Sequence, residues 1–326
     1  MKKVLLMQPI HDAGMAILQA RKNLNVVVAS DTSEQTVMRE ARGAHAIIAR
    51  ATAVTRAIID SATDLAVVSR HGVGYDSVDV ARLTERGIPL TIAIEANAQS
   101  VAEHTLYFIL ALAKRGFEFD RETKQGNFDI RTTLRGADIS EKNILIIGFG
   151  RTGTRVARLA RAFGMNIYVC DPYIDQSSIS SAGYTPVDDY ASILPDMDMV
   201  TVHCPLTGET RGMIAADELA SMKPTSYMIN CARGGIVDEH ALCAALKGNA
   251  IAGAALDVFV REPAPGDDPL LALDNVITSP HIAGVTLEAS MRMATGAAEN
   301  VLAAFDGTLN PAVVVNSEVL KVARAS

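Results

Sequence analysis

The segment Ile144-Leu145-Ile146-Ile147-Gly148-Phe149-Gly150-Arg151-Thr152-Gly153 decides the fold of this chain. Its apolar start predicts a buried strand at 144–147, and the run 154–163 after the glycines predicts a helix. Gly148, Gly150 and Gly153 match the pattern G-x-G-x-x-G, which allows a tight turn, a close approach to a pyrophosphate and close packing of helix on strand. The helix N-terminus favours the negative charge of a pyrophosphate. The sequence therefore predicts a dinucleotide site here.

A carboxylate further along the chain indicates which dinucleotide would bind. The next predicted strand, 166–170, is followed by Asp171, which lies about 20 residues beyond the last glycine of the pattern. An acidic residue at this place binds the ribose hydroxyl groups of the adenosine half and repels a 2′-phosphate. We therefore expect the cofactor to be NAD rather than NADP.

Apolar strands alternate with helices along most of the chain. The predicted strands are 4–7, 25–29, 46–49, 66–70, 144–147, 166–170, 199–203, 226–230, 252–257 and 276–279; the segment 126–136 is predicted to be a loop. Continuous apolar strands between helices are typical of parallel sheets that are covered on both faces. We predict an α/β fold of two doubly wound parallel-sheet domains. A Rossmann-type NAD domain, residues 98–285, would be inserted into a flavodoxin-like substrate domain, residues 1–97 and 286–326, because the last stretch is too short to fold alone and should cross back.

Composition excludes several classes of protein. The chain has 326 residues, of which 49% are hydrophobic and 21% charged, as in globular proteins. Its formal net charge of −7 argues against a nucleic-acid partner. Its apolar runs fall short of the roughly 20 residues that span a membrane, and the run 4–7 is too short for a signal peptide. Cys170, Cys204, Cys231 and Cys243 lack the spacing of a disulfide framework or a zinc site, so we expect free thiols in the cytoplasm and no metal.

Three charged residues follow predicted strands in the second half of the chain: Arg233, Glu262 and His281. Ligands of an open α/β sheet bind outside the carboxyl ends of its strands, so these side chains are expected on the binding edge. They suit the conversion of a 2-oxo acid to a 2-hydroxy acid. A guanidinium can hold the carboxylate and carbonyl oxygens, an imidazole can carry the proton, and a carboxylate can orient the imidazole. The nicotinamide would carry the hydride. His203 ends a predicted strand and is expected to line the cofactor cleft, next to Cys204 and Pro205.

In these motifs the sequence resembles the D-isomer-specific 2-hydroxyacid dehydrogenases, a family that includes phosphoglycerate, glycerate and hydroxypyruvate enzymes. The resemblance covers nearly the whole chain. It rests on the glycine pattern and on the stretches RHGVGYD (70–76), VAEH (101–104), HCPLT (203–207), NCARGGIVDE (230–239), ALDVFVREP (255–263) and SPHIAG (279–284).

The resemblance implies roles for individual residues. Arg233 would hold the substrate carboxylate, His281 would act as acid and base, and Glu262 would be its partner. Further cofactor contacts are implied at Val73, Arg151, Thr152, Asp171, Cys204, Cys231, Ala232, Asp257 and Gly284, and substrate contacts at Arg50, Val73 and Gly74. The resemblance also implies a homodimer whose substrate domain is built from both chain ends.

Two questions stay open at the level of sequence. In phosphoglycerate enzymes an arginine near residues 48–55 helps bind phosphate, but here Ala49 takes that position and Arg50 lies one residue later. A shift of one residue in a strand reverses the direction of the side chain, so the sequence does not establish that this chain binds a phosphate group. Hydroxypyruvate, glyoxylate and 3-phosphoglycerate are therefore all candidate substrates. An NAD-sensing binding protein, like the corepressors of the same superfamily, is the alternative to an enzyme. A formate-dehydrogenase-like enzyme is a second alternative, but such an enzyme would have Gln at the position where this chain has Glu262.

Overall fold

The computed structural model describes residues 1–322, in which helices and strands alternate. The strands are β1 Lys2–Leu6, β2 Leu24–Val28, β3 Ala44–Ala49, β4 Val67–Arg70, β5 Leu90–Ile92, β6 Asn143–Ile147, β7 Asn166–Cys170, β8 Thr185–Pro186, β9 Met199–Val202, β10 Tyr227–Asn230, β11 Gly253–Leu256 and β12 Val276–Thr278. The α-helices are α1 Asp12–Gln19, α2 Glu34–Ala41, α3 Arg56–Ser61, α4 Val80–Glu85, α5 Ala98–Ala113, α6 Gly116–Lys124, α7 Arg151–Ala162, α8 Gln176–Ser181, α9 Tyr190–Ile193, α10 Ala216–Ser221, α11 Glu239–Lys247, α12 Leu287–Asp306 and α13 Val319–Val322. Short 3-10 helices span Phe128–Thr133, Leu194–Asp196 and Pro311–Val313.

The chain folds into two compact units. The first contains Met1–Asn97 and the described residues from Val285 onward, and the second contains Ala98–Gly284. The first unit is therefore built from both ends of the described chain, and the second is a continuous insertion.

A five-stranded parallel sheet forms the centre of the first unit, in the order β2-β1-β3-β4-β5. This is the flavodoxin-like strand order. Helix α12 returns to this unit, where Ala297, Ala298 and Val301 join the same buried cluster as Val4 and Leu6. The expected crossing of the last stretch back to the first sheet is therefore present.

A seven-stranded parallel sheet forms the centre of the second unit, in the order β12-β11-β10-β9-β6-β7-β8. Counted from β6, this is the Rossmann order 3-2-1-4-5-6 with one more strand beyond the sixth. The predicted fold class, two doubly wound parallel-sheet domains of flavodoxin-like and Rossmann type, is confirmed.

Both faces of each sheet are covered, which explains why the strands are apolar without interruption. In β6, Ile144 and Ile146 belong to one buried cluster, whereas Leu145 and Ile147 belong to the cluster on the opposite face. Because successive side chains of a strand point to opposite faces, a strand with two covered faces needs apolar residues throughout.

The structure corrects several predicted boundaries. The segment 126–136 is not a simple loop, since Phe128–Thr133 forms a 3-10 helix. Helix α7 begins at Arg151 rather than at 154. The predicted start was too late because the residues of a first helical turn need not be apolar, and their N–H groups have no partner within the helix. Strand β9 ends at Val202, so His203 follows the strand. Within residues 1–322, no helix combines the length and apolar character needed to cross a membrane.

Candidate active site

The carboxyl edge of the second sheet gathers the predicted site residues of that unit. All its strands run in parallel, so the residues that follow them collect at one edge. The register pairs Asn230 of β10 with Leu256 of β11, and Leu256 with Thr278 of β12. Arg233 and His281 each come three residues after these aligned positions, which places them on neighbouring loops of the same edge.

The glycine turn between β6 and α7 has the shape that a pyrophosphate requires. A side chain at Gly153 would bring its Cβ to 1.9 Å from the carbonyl oxygen of Gly148, so no larger residue fits between helix and strand. A Cβ at Gly150 would meet nothing within 4 Å, so the space above this residue is open. Arg151 and Thr152 form the first turn of α7, where backbone N–H groups point outward. The turn therefore fits the pyrophosphate of a dinucleotide.

Asp171 lies directly after β7, beside the glycine turn. One of its carboxylate oxygens accepts a hydrogen bond from the Phe149 N–H at 2.7 Å, and the other accepts from the Tyr173 N–H at 2.9 Å. These bonds hold the carboxylate at the mouth of the turn, where it can accept hydrogen bonds from ribose hydroxyl groups.

The segment His203-Cys204-Pro205 follows β9 on the other side of β6. The backbone there lies so close to the turn that a Cβ at Gly148 would be 2.8 Å from the Cys204 nitrogen. Burial lowers the pKa of His203 to about 3 and raises that of Cys204 to about 11, so both side chains are neutral near pH 7. The imidazole Nε2 lies 3.0 Å from the Thr201 Oγ1. This segment is therefore an uncharged neighbour of the glycine turn.

Four other predicted cofactor residues of this unit lie on the same edge. Cys231 and Ala232 follow β10, Asp257 follows β11, and Gly284 lies in the loop after β12. Burial raises the pKa of the Cys231 thiol, which keeps it protonated. The Asp257 carboxylate is 1% exposed and accepts hydrogen bonds from Ser279, Ile282 and Ala283, so it holds the loop that carries His281. Among residues 1–322, no group of three His, Cys, Asp or Glu side chains is arranged to hold a metal ion.

His281 and Glu262 form a hydrogen-bonded pair. The imidazole Nδ1 lies 2.7 Å from one carboxylate oxygen of Glu262, and the other oxygen accepts a hydrogen bond from the Phe259 N–H at 3.0 Å. The carboxylate is thus fixed at both ends, and the imidazole can present Nε2 to a ligand. The side chain of His281 is 49% exposed, and the pair borders an open, largely apolar cavity of about 460 Å³. A ligand can therefore reach the imidazole.

Arg233 lies on the neighbouring loop, which is held close to the loop of Glu262. A Cβ at Gly234 would come within 2.1 Å of the Phe259 carbonyl, so only glycine allows this approach. The buried Asn230 fixes the turn before Arg233, since its side chain donates to the Arg233 carbonyl at 2.9 Å and accepts from the Ala232 N–H at 3.0 Å. Asn230 was missed by the sequence analysis; the signal available was a polar residue at the end of an apolar strand.

The remaining predicted residues belong to the first unit, at the carboxyl edge of its own sheet. Ala49 ends β3 with its side chain buried, and Arg50 is exposed and donates to the Pro9 carbonyl at 3.3 Å. Val73 and Gly74 lie in the turn after β4, and Arg70 donates to the Gly74 carbonyl at 2.7 Å. Burial and the nearby charge of Arg50 lower the pKa of His71 to about 4. His71 is therefore neutral near pH 7 and adds no charge to this edge.

The fold and the glycine turn of the second unit define a Rossmann-type dinucleotide-binding domain, and comparison with known proteins agrees. A sequence model described as "D-isomer specific 2-hydroxyacid dehydrogenase, NAD binding domain" matches residues 106–283. The chain belongs to the D-isomer-specific 2-hydroxyacid dehydrogenase family. The predictions of this family and of NAD as its cofactor are confirmed.

Individual relatives differ in name and in length. The chain is 40% identical to a D-3-phosphoglycerate dehydrogenase of Methanocaldococcus jannaschii, with 96% of this chain aligned to 59% of that protein. It is 37% identical to a glyoxylate reductase of Thermofilum pendens, with 98% and 96% aligned. Among solved structures, a D-lactate dehydrogenase of Aquifex aeolicus in complex with NAD and lactic acid matches with a TM-score of 0.86 at 27% identity, over 97% of this chain and 99% of that chain. The chain thus spans little more than half of the length of the phosphoglycerate dehydrogenase.

Proposed function

We propose that this chain is an NAD-dependent D-2-hydroxyacid dehydrogenase that interconverts a small 2-oxo acid and its 2-hydroxy acid. The hydrogen-bonded pair of His281 and Glu262 carries the proposal. Its imidazole is anchored at Nδ1 by a carboxylate that is itself held by a backbone N–H, and it stands at the same sheet edge as Arg233 and the glycine turn. We assign this imidazole as the proton donor and Arg233 as the cation that binds the substrate carboxylate.

Each of the three side chains has one task in the reaction. Arg233 binds the carboxylate of the substrate through the paired donors of its guanidinium. In the direction of reduction, His281 donates the proton on Nε2 to the oxygen at C2, and in the direction of oxidation it takes the proton back. Glu262 stabilises the positive charge of the imidazolium and holds its orientation. When bound, the nicotinamide supplies or takes the hydride at C2.

We assign the remaining residues by unit. Residues 98–285 would form the dinucleotide domain, with contacts to NAD from Gly148, Gly150, Arg151, Thr152, Gly153, Asp171, His203, Cys204, Pro205, Cys231, Ala232, Asp257 and Gly284. Residues 1–97 and 286–326 would form the substrate domain, with contacts to the substrate from Arg50, Val73 and Gly74 and a cofactor contact from Val73. The carboxyl edge of a doubly wound sheet is where such ligands bind.

The substrate is a 2-oxo acid of two or three carbons. The relatives named glyoxylate reductase and D-3-phosphoglycerate dehydrogenase support this class. Arg50 is exposed on the carboxyl edge of the first unit and makes one hydrogen bond of 3.3 Å, to the Pro9 carbonyl, through its Nη1. The other donors of its guanidinium can bind an anionic group at C3.

A panel of 2-oxo acids tests the proposed function. NADH oxidation is followed by absorbance with glyoxylate, hydroxypyruvate and 3-phosphohydroxypyruvate, and NADH binding is measured separately by fluorescence. We expect turnover with at least one acid of the panel and reversal with the matching D-hydroxy acid. Tight NADH binding without turnover of any acid would instead indicate an NAD-sensing binding protein.

The protein would act as a homodimer in the cytoplasm. In the second unit, the segment from α5 to the 3-10 helix exposes large apolar side chains: Tyr107 at 46%, Phe117 at 52%, Phe128 at 64% and Leu134 at 87%. Within this segment, 107–134, neither α6 nor the 3-10 helix has a buried residue, so these two helices contribute apolar surface and no core. A second copy of the chain would cover it. The four cysteines are free thiols, which suits a reducing compartment.

A further inference from the structure

His281 adopts a backbone conformation that needs support from its surroundings. Its φ angle of +55° lies in the left-handed region, which costs free energy for any residue with a Cβ. Asp257 provides the support. Its carbonyl accepts the His281 N–H at 2.8 Å, and its carboxylate accepts the next two N–H groups, of Ile282 at 2.8 Å and of Ala283 at 2.9 Å. Three consecutive N–H groups of the His281 loop are therefore bound by one residue.

The Asp257 carboxylate is linked through Ser279 to a second histidine. The Ser279 hydroxyl donates to the carboxylate oxygen that also binds the Ile282 N–H, and its oxygen lies 3.0 Å from Nε2 of His104 on α5. A hydroxyl has a single proton, and a carboxylate can only accept, so the proton of Ser279 goes to Asp257. His104 must then donate its Nε2–H to the Ser279 oxygen. The direct distance from His104 to the carboxylate is 3.9 Å, so the contact runs through the hydroxyl.

The environment of His104 keeps it neutral and fixed. Its side chain is 17% exposed, and its ring packs edge-on against Phe108 with 4.4 Å between the ring centroids. Burial lowers the pKa of His104. A neutral imidazole with its proton on Nε2 is a single, directed donor, which suits the Ser279 oxygen as an acceptor.

We propose that His104 is a positioning residue for the catalytic imidazole and acts through Ser279 and Asp257. This inference rests on the proposed function, because it assigns to His281 the proton transfer. The donated bond from His104 fixes the hydroxyl rotamer of Ser279, the hydroxyl holds the Asp257 carboxylate, and the carboxylate holds the N–H groups that follow His281. Helix α5 thereby sets the place of the imidazole without contact to substrate.

Kinetics of matched variants test the proposal. His104→Leu removes the donor, whereas His104→Gln keeps an N–H near the same place. His240→Leu on α11 is the control, because this histidine is exposed. We expect His104→Leu to lower kcat about tenfold by displacing the imidazole, with the KM for NADH little changed, and His104→Gln to recover most of the loss. Ser279→Ala should lower kcat as well, and the double variant His104→Leu/Ser279→Ala should be no slower than Ser279→Ala alone, because the two residues act in series.

Amide hydrogen exchange gives a readout that needs no substrate. The N–H groups of Ile282 and Ala283 should exchange faster in His104→Leu than in the wild type, and near the wild-type rate in His104→Gln and His240→Leu. If the wild type turned over no 2-oxo acid, the proposed function would fail while this measurement still decided the role of His104. Unchanged exchange and unchanged kcat in a folded His104→Leu variant, or losses that multiply in the double variant, would overturn the proposal.

Discussion

Arg233, Glu262 and His281 lie on three separate loops, and none of the three residue types is unusual in a loop. Two regularities of the sequence led to their prediction as site residues. Each follows an apolar strand of a parallel sheet, and together they match the groups of a 2-oxo acid. The sequence could not show which oxygen of Glu262 faces the imidazole, because that depends on the Phe259 N–H that binds the other oxygen.

Asp257 illustrates a role that becomes visible only in three dimensions. The resemblance to the family assigns it to the cofactor, and in the structure its buried carboxylate binds the loop after β12. The N–H groups that it accepts belong to residues about 25 positions away along the chain, at hydrogen-bond distances that no sequence pattern encodes. The left-handed backbone of His281 was equally hidden, since histidine at a left-handed position is uncommon.

Asp171 gives a prediction at the residue scale. We expect Asp171→Ala to lower the preference for NAD over NADP in kcat/KM by about fivefold or more, because a carboxylate about 4 Å from a 2′-phosphate repels it by about 1 kcal/mol even in water. Asp175→Ala, an exposed aspartate of the same loop, is the control for loss of charge and should leave the preference unchanged. An equal ratio in the wild type and in Asp171→Ala would show that the ribose is held by other groups.

At the scale of elements, most strands were predictable, whereas two short edge strands, β5 and β8, were not. Strand β6 has apolar residues on both faces because both faces are covered. Strand β8, Thr185–Pro186, pairs at the sheet edge over two residues, and β5 has three. Such segments are too short to show a period, and a proline is tolerated at an edge because its missing N–H need not pair.

The apolar segment 107–134 gives a prediction at this scale. Light scattering after size exclusion should give the wild type a mass of twice the 34.6 kDa chain. Phe128→Glu should shift the mass toward a single chain, because a charge would be buried in the interface between two copies. Phe163→Glu, at the end of α7 in the same unit and 45% exposed, should stay at the wild-type mass. A wild type of single-chain mass would exclude this interface.

For the whole molecule, the alternation of strands and helices predicted two parallel-sheet domains, and the return of α12 to the first unit followed from the shortage of strands after β12. The order of the strands in each sheet could not be predicted from the apolar runs, because these runs do not indicate which strands are neighbours. It was expected only from the doubly wound type of fold. Whether the substrate carries a phosphate group also depends on the whole molecule. Ala49, which takes the position of the phosphate-binding arginine, is buried, and the next residue, Arg50, is exposed, as the alternation of side chains predicts.

The proton transfer assigned to His281 is the central claim, and one variant tests it most directly. His281→Ala and the wild type are compared in NADH-dependent reduction of the best 2-oxo acid, with the Kd for NADH measured in parallel. We predict that kcat falls by about 10²- to 10⁴-fold while the Kd for NADH stays the same, because only the proton donor is lost. A variant that keeps most of the wild-type kcat would contradict the account.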